Sequence, residues 1–477
     1  MERNNLYSMD RNKKFIKNTI ILFVGKFTSQ FMSLLLIPLF THFLTTSDYG
    51  TIDLLQTFIS LFIPVLSLRI DSAVFRYLID YREDDNEKTS IITNTIVVLF
   101  FGIILCIVFG IVLKLFLNFN YIFASVVNLI ILIISAVLMQ IQRGLGKNKE
   151  YSISCIIIGL ATLALNFIFI VVMKKGAESI LWASSIANFL GVVYILASLK
   201  LVKFINIKTI NINELKTLLK FSLPMIPDYL SGWIVNVSDR AIVSYVLGTS
   251  LNGIYTVSSK FSNILNSVFS IVNMSWQETA SVHINDRDKD EYFSLMINSM
   301  VQIFSTIGLL MLAFLPIVYN YIVGASFMES YVYIPILIYA NSWRVLVGTT
   351  SGIYIALKKT KEVANTTIVA AIINLIVHFA LIKKIGLYAA CVSTLAAYLV
   401  MGLYRYFDSK KYINIQLNWR YIFKFTMIFI IVTFTYLYNN ILVDILVFVI
   451  VCFYSFIENR HFVLTGMKML KNKILNK

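Results

Sequence analysis

Five basic side chains fall where a basic side chain is costly: Lys26, Arg69, Arg240, Lys260 and Arg344 each lie inside a long apolar run. An ionised group in hydrocarbon costs at least ~2.5–3.5 kcal/mol, so each needs a partner or a water-lined surface. One chemistry that meets this need is structural, an ion pair with an acid of another run, for which Asp53, Asp71, Asp228 and Asp239 are available. The other is binding: an arginine fork grips two oxygens of an anion at once. Lys260, nearest the end of its run, is the most easily relieved by reaching for the interface. Enzyme chemistry finds no purchase. The histidines (His42, His283, His378, His461) lack metal-ligand spacing, and no phosphate-binding glycine loop or Ser-His-Asp candidate occurs. Cys106, Cys155, Cys391 and Cys452 sit singly in apolar runs, as small buried residues do.

The elements that must position these charges are membrane helices. Hydrophobic residues make up 58% of the 477 positions and charged residues 14%, where a soluble domain carries roughly 25% charged residues. Runs long enough to span a bilayer core, ~20 apolar residues each, follow one another along the chain. About fourteen are predicted, at 15–43, 49–75, 90–113, 121–142, 151–173, 178–199, 219–246, 251–280, 293–322, 331–356, 363–382, 387–406, 420–438 and 441–458. None alternates with period two, so a β-barrel is excluded and the class is all-α. The basic start (Arg3, Arg11, Lys13, Lys14) leads into a run too long for the apolar region of a cleavable signal.

The formal net charge of +16 is an orientation signal rather than a nucleic-acid footprint. With both termini cytoplasmic, Lys114, Lys174, Lys175, Lys383 and Lys384 are the only basic residues in outer loops, and the N-terminus, the alternate loops with their adjoining span ends (Arg405 counted among them) and the C-terminus hold the rest apart from the five intramembrane cations. That bias predicts an N-in, C-in topology. An internal repeat accompanies it. Residues 39–58 align without gaps on 242–261, pairing Leu44, Thr46, Ser47, Gly50 and Phe58 with Leu247, Thr249, Ser250, Gly253 and Phe261. Leu145, Lys147, Lys149 and Glu150 likewise match Leu357, Lys359, Lys361 and Glu362, and Lys174 and Gly176 match Lys384 and Gly386. Spans 1–6 and 7–12 therefore read as one six-helix lobe copied in the same orientation, the arrangement of alternating-access transporters. The expected division is 1–210, 211–411, and 412–477 for two further helices and a cytoplasmic tail.

The block across spans 7 and 8 carries a more specific signal. It reads Phe221-Ser222-Leu223-Pro224, Pro227, Ser231, Trp233, Ser238-Asp239-Arg240, Gly248, Gly253-Ile254-Tyr255 and Trp276-Gln277-Glu278, with Gly25, Pro38 and Asp48-Tyr49-Gly50 in and after span 1. In this the chain resembles the Wzx-type polysaccharide flippases, which move O-antigen and capsule repeat units, of the multidrug/oligosaccharidyl-lipid/polysaccharide exporter superfamily. The resemblance implies a two-lobed inner-membrane bundle carrying an undecaprenyl-pyrophosphate-linked glycan to the outer leaflet, with membrane lipids and the pathway's polymerase as further partners. The five intramembrane cations would then line a cavity for the pyrophosphate, and Tyr49, Tyr229, Trp233 and Tyr255 would offer rings to the sugars. It also implies cation-coupled antiport without a resident cofactor. Asp239 with Asn374, His378 and Thr394 would parallel the sodium site of the lipid II flippases, His378 being able to carry a proton instead. Pairing of Asp239 with Arg240 or Lys260 is the competing expectation. A drug/cation antiporter of the same superfamily is the alternative function. A glycan polymerase is disfavoured, since every outer loop is short.

Overall fold

A computed structural model of the chain describes Gly25, Thr28, residues 31–116 and residues 121–475, with side chains as far as Arg460. No strand occurs among the described residues. Among the described residues ten helices are long and apolar enough to cross a membrane, and large apolar side chains remain exposed along them, among them Leu115, Phe379, Phe434 and Leu446. Surface of that kind is tolerable only in contact with lipid, so the chain is a multi-pass membrane protein.

Two compact units divide the chain, residues 1–233 and 234–477. The first holds α1 (Phe31–Phe43), α2 (Thr46–Leu66), α3 (Ile70–Asp80), α4 (Asp85–Phe116), α5 (Ile122–Gly144), α6 (Asn148–Asn166), α7 (Glu178–Leu199) and α8 (Ile212–Ser222). The boundary falls inside α9 (Met225–Leu247) rather than at residue 210. Hydrogen bonds explain why the segment after 210 stays with the first unit. The Asn94 amide donates to Thr209 O at 3.2 Å and to Glu214 Oε2 at 3.1 Å, and Asn94 Oδ1 accepts from Asn211 N at 3.0 Å. Trp233 Nε1 then donates to Ser60 Oγ at 3.1 Å.

The second unit comprises α10 (Thr249–His283), α11 (Lys289–Ile322), α12 (Ile334–Ala356), α13 (Thr360–Ile385), α14 (Tyr388–Ser409), α15 (Trp419–Tyr438) and α16 (Ile441–Leu475). The last two helices join it rather than standing apart. Gln302 Nε2 in α11 donates to Glu458 O at 2.6 Å, Asn459 Nδ2 donates to Thr306 Oγ1 at 2.9 Å, and the rings of Tyr331 and Tyr436 stack at 3.9 Å.

Two expected spans are not single helices: 219–246 opens on the end of α8 and turns at Leu223 and Pro224 before α9, and 49–75 is the other. The run 49–75 breaks between α2 and α3, where Leu68 (φ 54) and Arg69 (φ 53) both adopt left-handed backbone. Each such non-glycine residue costs about 1–2 kcal/mol. Pro64, in the last turn of α2, cannot donate to Ser60 O, and the Tyr229 hydroxyl faces that carbonyl at 3.4 Å. By the repeat alignment the break falls opposite Ser270–Val272, where α10 runs on without interruption. The break therefore belongs to the first unit alone.

Gly102 of α4 backs it. A β-carbon there would stand 2.5 Å from Leu66 O, a backbone atom, and close approach of this kind is what small residues supply between membrane helices. Gly102→Ala is expected to cost about 1–3 kcal/mol through overpacking, read as a lowered unfolding midpoint of the purified protein. An unchanged midpoint would show that α4 can retreat freely.

Candidate functional site

In the first unit the break presents Arg69 at the N-terminus of α3. Its Nη2 donates to Ser72 Oγ at 2.6 Å, its Nη1 lies 3.5 Å from Asp71 Oδ2, and the guanidinium sits 5.5 Å from the centre of the Tyr229 ring. The Arg69 side chain stays 21% exposed. A cation, a helix N-terminus with its partial positive charge and an aromatic face thus meet at one point, and Asp71 offsets part of the charge. Trp233 is fixed against α2 by its ring nitrogen. Tyr49 is buried at 3% with its ring 5.4 Å from that of Phe40, so it belongs to the core and presents no face to a sugar here. Lys26 and the Asp228 side chain lie outside the described residues.

The second unit gathers a different set. Asp239 of α9 is 3% exposed. Its Oδ1 faces His378 Nδ1 of α13 at 3.0 Å, and its Oδ2 accepts from Thr394 of α14 at 2.7 Å and from Tyr255 of α10 at 3.2 Å. Four helices therefore converge on one carboxylate. Tyr255, expected as a sugar platform, is instead buried at 4% as a donor to that carboxylate. Asn374 lies one turn before His378 on α13, and neither of its side-chain polar atoms has a hydrogen-bond partner. Arg240 Nη2 donates to Ser259 Oγ at 3.3 Å, and Lys260 is half-buried on α10.

Arg344 of α12 joins the edge of this cluster. Its Nη1 donates to Tyr398 OH at 2.9 Å, with the guanidinium 5.3 Å from that ring's centre, and Tyr398 OH donates on to Asn236 Oδ1 at 2.9 Å. Asn236 and Asp239 share one face of α9, as Thr394 and Tyr398 share one face of α14. The sequence reading passed over Asn236 and Tyr398, and their spacing from Asp239 and Thr394 was the signal that could have found them.

A second miss is Arg405, expected as an orienting cation in a cytoplasmic loop. It is helical and 2% exposed. Its Nε donates to Thr366 Oγ1 at 2.8 Å, Nη1 to Val347 O at 3.1 Å and to Ser351 Oγ, and Nη2 to Val363 O at 3.2 Å and Thr367 Oγ1 at 3.1 Å. The guanidinium braces α12, α13 and α14 through five neutral acceptors. The loop expectation fails because α14 runs on to Ser409 and those acceptors satisfy the fork inside the bundle.

A sequence profile of the family described as polysaccharide biosynthesis protein matches residues 15–276, more than half of the 477. The chain belongs to the polysaccharide biosynthesis protein family. This family member is 33% identical over 82 residues to Lsg locus putative protein 1 of Haemophilus influenzae, a match covering 17% of this chain and 20% of that one. It thus spans about a fifth of that curated relative's length. Among solved structures it is similar to the inward closed lipid II flippase MurJ, with a TM-score of 0.68 and 18% identity over 94% of this chain and 100% of that one. It is also similar to an inward-facing multidrug resistance MATE family transporter of the MOP superfamily, with a TM-score of 0.68 and 11% identity over 82% and 97%. The Vibrio cholerae MATE transporter VcmN follows, with a TM-score of 0.57 and 14% identity over 84% and 96%. This member of the polysaccharide biosynthesis protein family therefore shares the fold of these transporters.

Proposed function

We propose that this protein flips undecaprenyl-pyrophosphate-linked oligosaccharide repeat units from the cytoplasmic to the outer leaflet of a bacterial inner membrane, by alternating access, with a cation moving in the opposite direction. The observation that carries this reading is Arg69 at the broken second span. An anionic pyrophosphate crossing an apolar medium needs fixed positive charge where water is scarce, and a discontinuous helix whose half-helix N-terminus faces the substrate is how transporters supply it. Left-handed backbone at two non-glycine residues is strain that persists where it serves a purpose. Family membership supports the polysaccharide pathway, and the lipid II flippase fold supports a lipid-linked cargo.

The test is transbilayer movement of the cognate lipid-linked oligosaccharide in proteoliposomes of the purified protein. Arg69→Gly separates binding from folding, because glycine adopts the left-handed backbone without steric cost. Its unfolding midpoint should stay near that of wild type while the flipping rate falls at least about tenfold, the loss expected for one charge-assisted contact to phosphate. Full flipping by Arg69→Gly would remove Arg69 from the substrate path. Efflux of cationic dyes without any lipid movement would reassign the chain to drug transport.

A further inference from the structure

Within the first unit the chain leaves α6 through a widened helical turn (Phe167–Val172) and enters α7 at Glu178. The N-in, C-in topology expected from the sequence puts this connection on the outer side of the membrane. A cavity of about 520 Å³ opens beside it, within the ~300–1,000 Å³ of ordinary small-ligand sites. Lys175, Glu178, Ser179 and Trp182 supply its polar lining. Lys175 Nζ stands 5.6 Å from the centre of the Phe169 ring, and Glu178 Oε1 accepts from Trp182 Nε1 at 3.1 Å. The two opposite charges are thus held by aromatic rings rather than by each other. A ring face attracts an ammonium without supplying an acceptor for its three hydrogens, and a carboxylate with one oxygen on an indole still has acceptor capacity. Ser179 adds a buried orphan: it is 4% exposed, and its hydroxyl has no hydrogen-bond partner. Such a group calls for an explanation.

Below the polar lining the surface of α7 turns apolar. Ile186, Phe189, Leu190 and Val193 are all exposed and follow Trp182 at steps of three and four residues, which places them in one stripe. A charged cavity at the outer boundary above an apolar track facing hydrocarbon matches an amphiphile rather than a soluble ligand. The helical hairpin itself does not demand this lining. Aligning Lys174 and Gly176 with Lys384 and Gly386 sets Ile385, Tyr388, Ala389 and Val392 against Lys175, Glu178, Ser179 and Trp182. The second unit therefore repeats neither charge, nor the serine hydroxyl, nor the indole at the same corner.

We propose that Lys175, Glu178, Ser179 and Trp182 form a site for an outer-leaflet phospholipid whose headgroup joins a phosphate to a primary ammonium. Lys175 and the Ser179 hydroxyl donate to the phosphate, and Glu178 accepts from the ammonium. The Trp182 ring sits at the level of the headgroups, as interfacial tryptophans do, and an acyl chain runs along Ile186 and Phe189. A headgroup with negative charge alone would leave Glu178 facing a like charge. The lipid is held and not transported, so the site stands apart from the flipping proposal.

Native mass spectrometry of the purified protein, titrated with phosphatidylethanolamine or phosphatidylglycerol of identical acyl chains, gives the two dissociation constants. Wild type is expected to hold phosphatidylethanolamine at least about tenfold more tightly, the difference one charge-assisted hydrogen bond makes. Glu178→Gln keeps an acceptor for Trp182 and should erase that preference by weakening phosphatidylethanolamine alone. Lys175→Gln should weaken both lipids. Equal wild-type affinities, or a preference that survives both substitutions, would overturn the proposal. On the unaltered chain, phosphatidylethanolamine with a photoreactive acyl chain should label peptides within 167–193. Labelling confined to other helices would overturn the site, and displacement by free glycerophosphoethanolamine as readily as by the lipid would replace the lipid with a soluble zwitterion.

Discussion

Asp239→Asn is expected to lower gradient-driven transport at least about tenfold while leaving the protein folded. The substitution keeps the volume of the side chain and one carbonyl-type acceptor. It removes the charge and turns the other oxygen into a donor, which then faces the Thr394 and Tyr255 hydroxyls or the His378 ring nitrogen. A hydrogen bond to a charged group contributes roughly 1.5–3 kcal/mol, so the rearranged contacts shift the equilibrium between conformations by about one to two orders of magnitude. Under the proposed cation coupling, the variant also lacks the negative charge that the ion would neutralise. The measurement is the initial rate of lipid-linked substrate movement in proteoliposomes with and without an imposed ion gradient. Wild type should accelerate under the gradient and Asp239→Asn should not. Acceleration of both by the same factor would detach this carboxylate from coupling.

The second large effect concerns Arg405, and it appears as a ranking. A guanidinium 2% exposed among neutral acceptors bears a heavy desolvation cost that its five hydrogen bonds offset. Arg405→Lys keeps the charge but offers three donors in place of five in a fork, so it should be the most damaging, by roughly 3–5 kcal/mol. Arg405→Ala removes the cost and the bonds together and leaves a cavity between α12, α13 and α14, expected at about 2–4 kcal/mol. Arg405→Met fills most of that volume without burying a charge and should lie closest to wild type. Unfolding midpoints of the four proteins in one detergent give the order directly. A lysine variant as stable as wild type would mean that charge alone, rather than the fork, holds the three helices.

The class was legible because hydropathy is a local property that adds along the chain. Span after span recurs as helix within a few residues of its expected ends, α13 and α14 among them. Asp239, His378 and Thr394 were grouped through the resemblance to the lipid II flippases, against a competing pairing of Asp239 with Arg240 or Lys260, and the structure brings the three together. Asn374 was grouped with them and lies beside Asp239 and His378 without a hydrogen bond to either. Tyr49 and Tyr255 were judged by ring type and span position, neither of which says which way a helix face turns, and both are buried. Arg405 was misplaced because counting charges assigns a residue near a span end to the loop. Only the neighbouring helices reveal whether five acceptors wait inside.

What the sequence by itself determined is a chain of long apolar helices with a short set of charges placed among them. Tertiary structure alone decided the break at Leu68 and Arg69, because left-handed backbone at non-glycine residues is locally unfavourable and no local pattern announces it. It persists where Gly102 lets α4 approach Leu66 and Tyr229 meets the carbonyl that Pro64 leaves without an amide partner. Tertiary structure also decided that Asp239 meets His378 across 139 residues of chain and that Arg405 turns inward. Pairings of that range depend on how helix faces pack, and a sequence encodes that packing only through the whole fold.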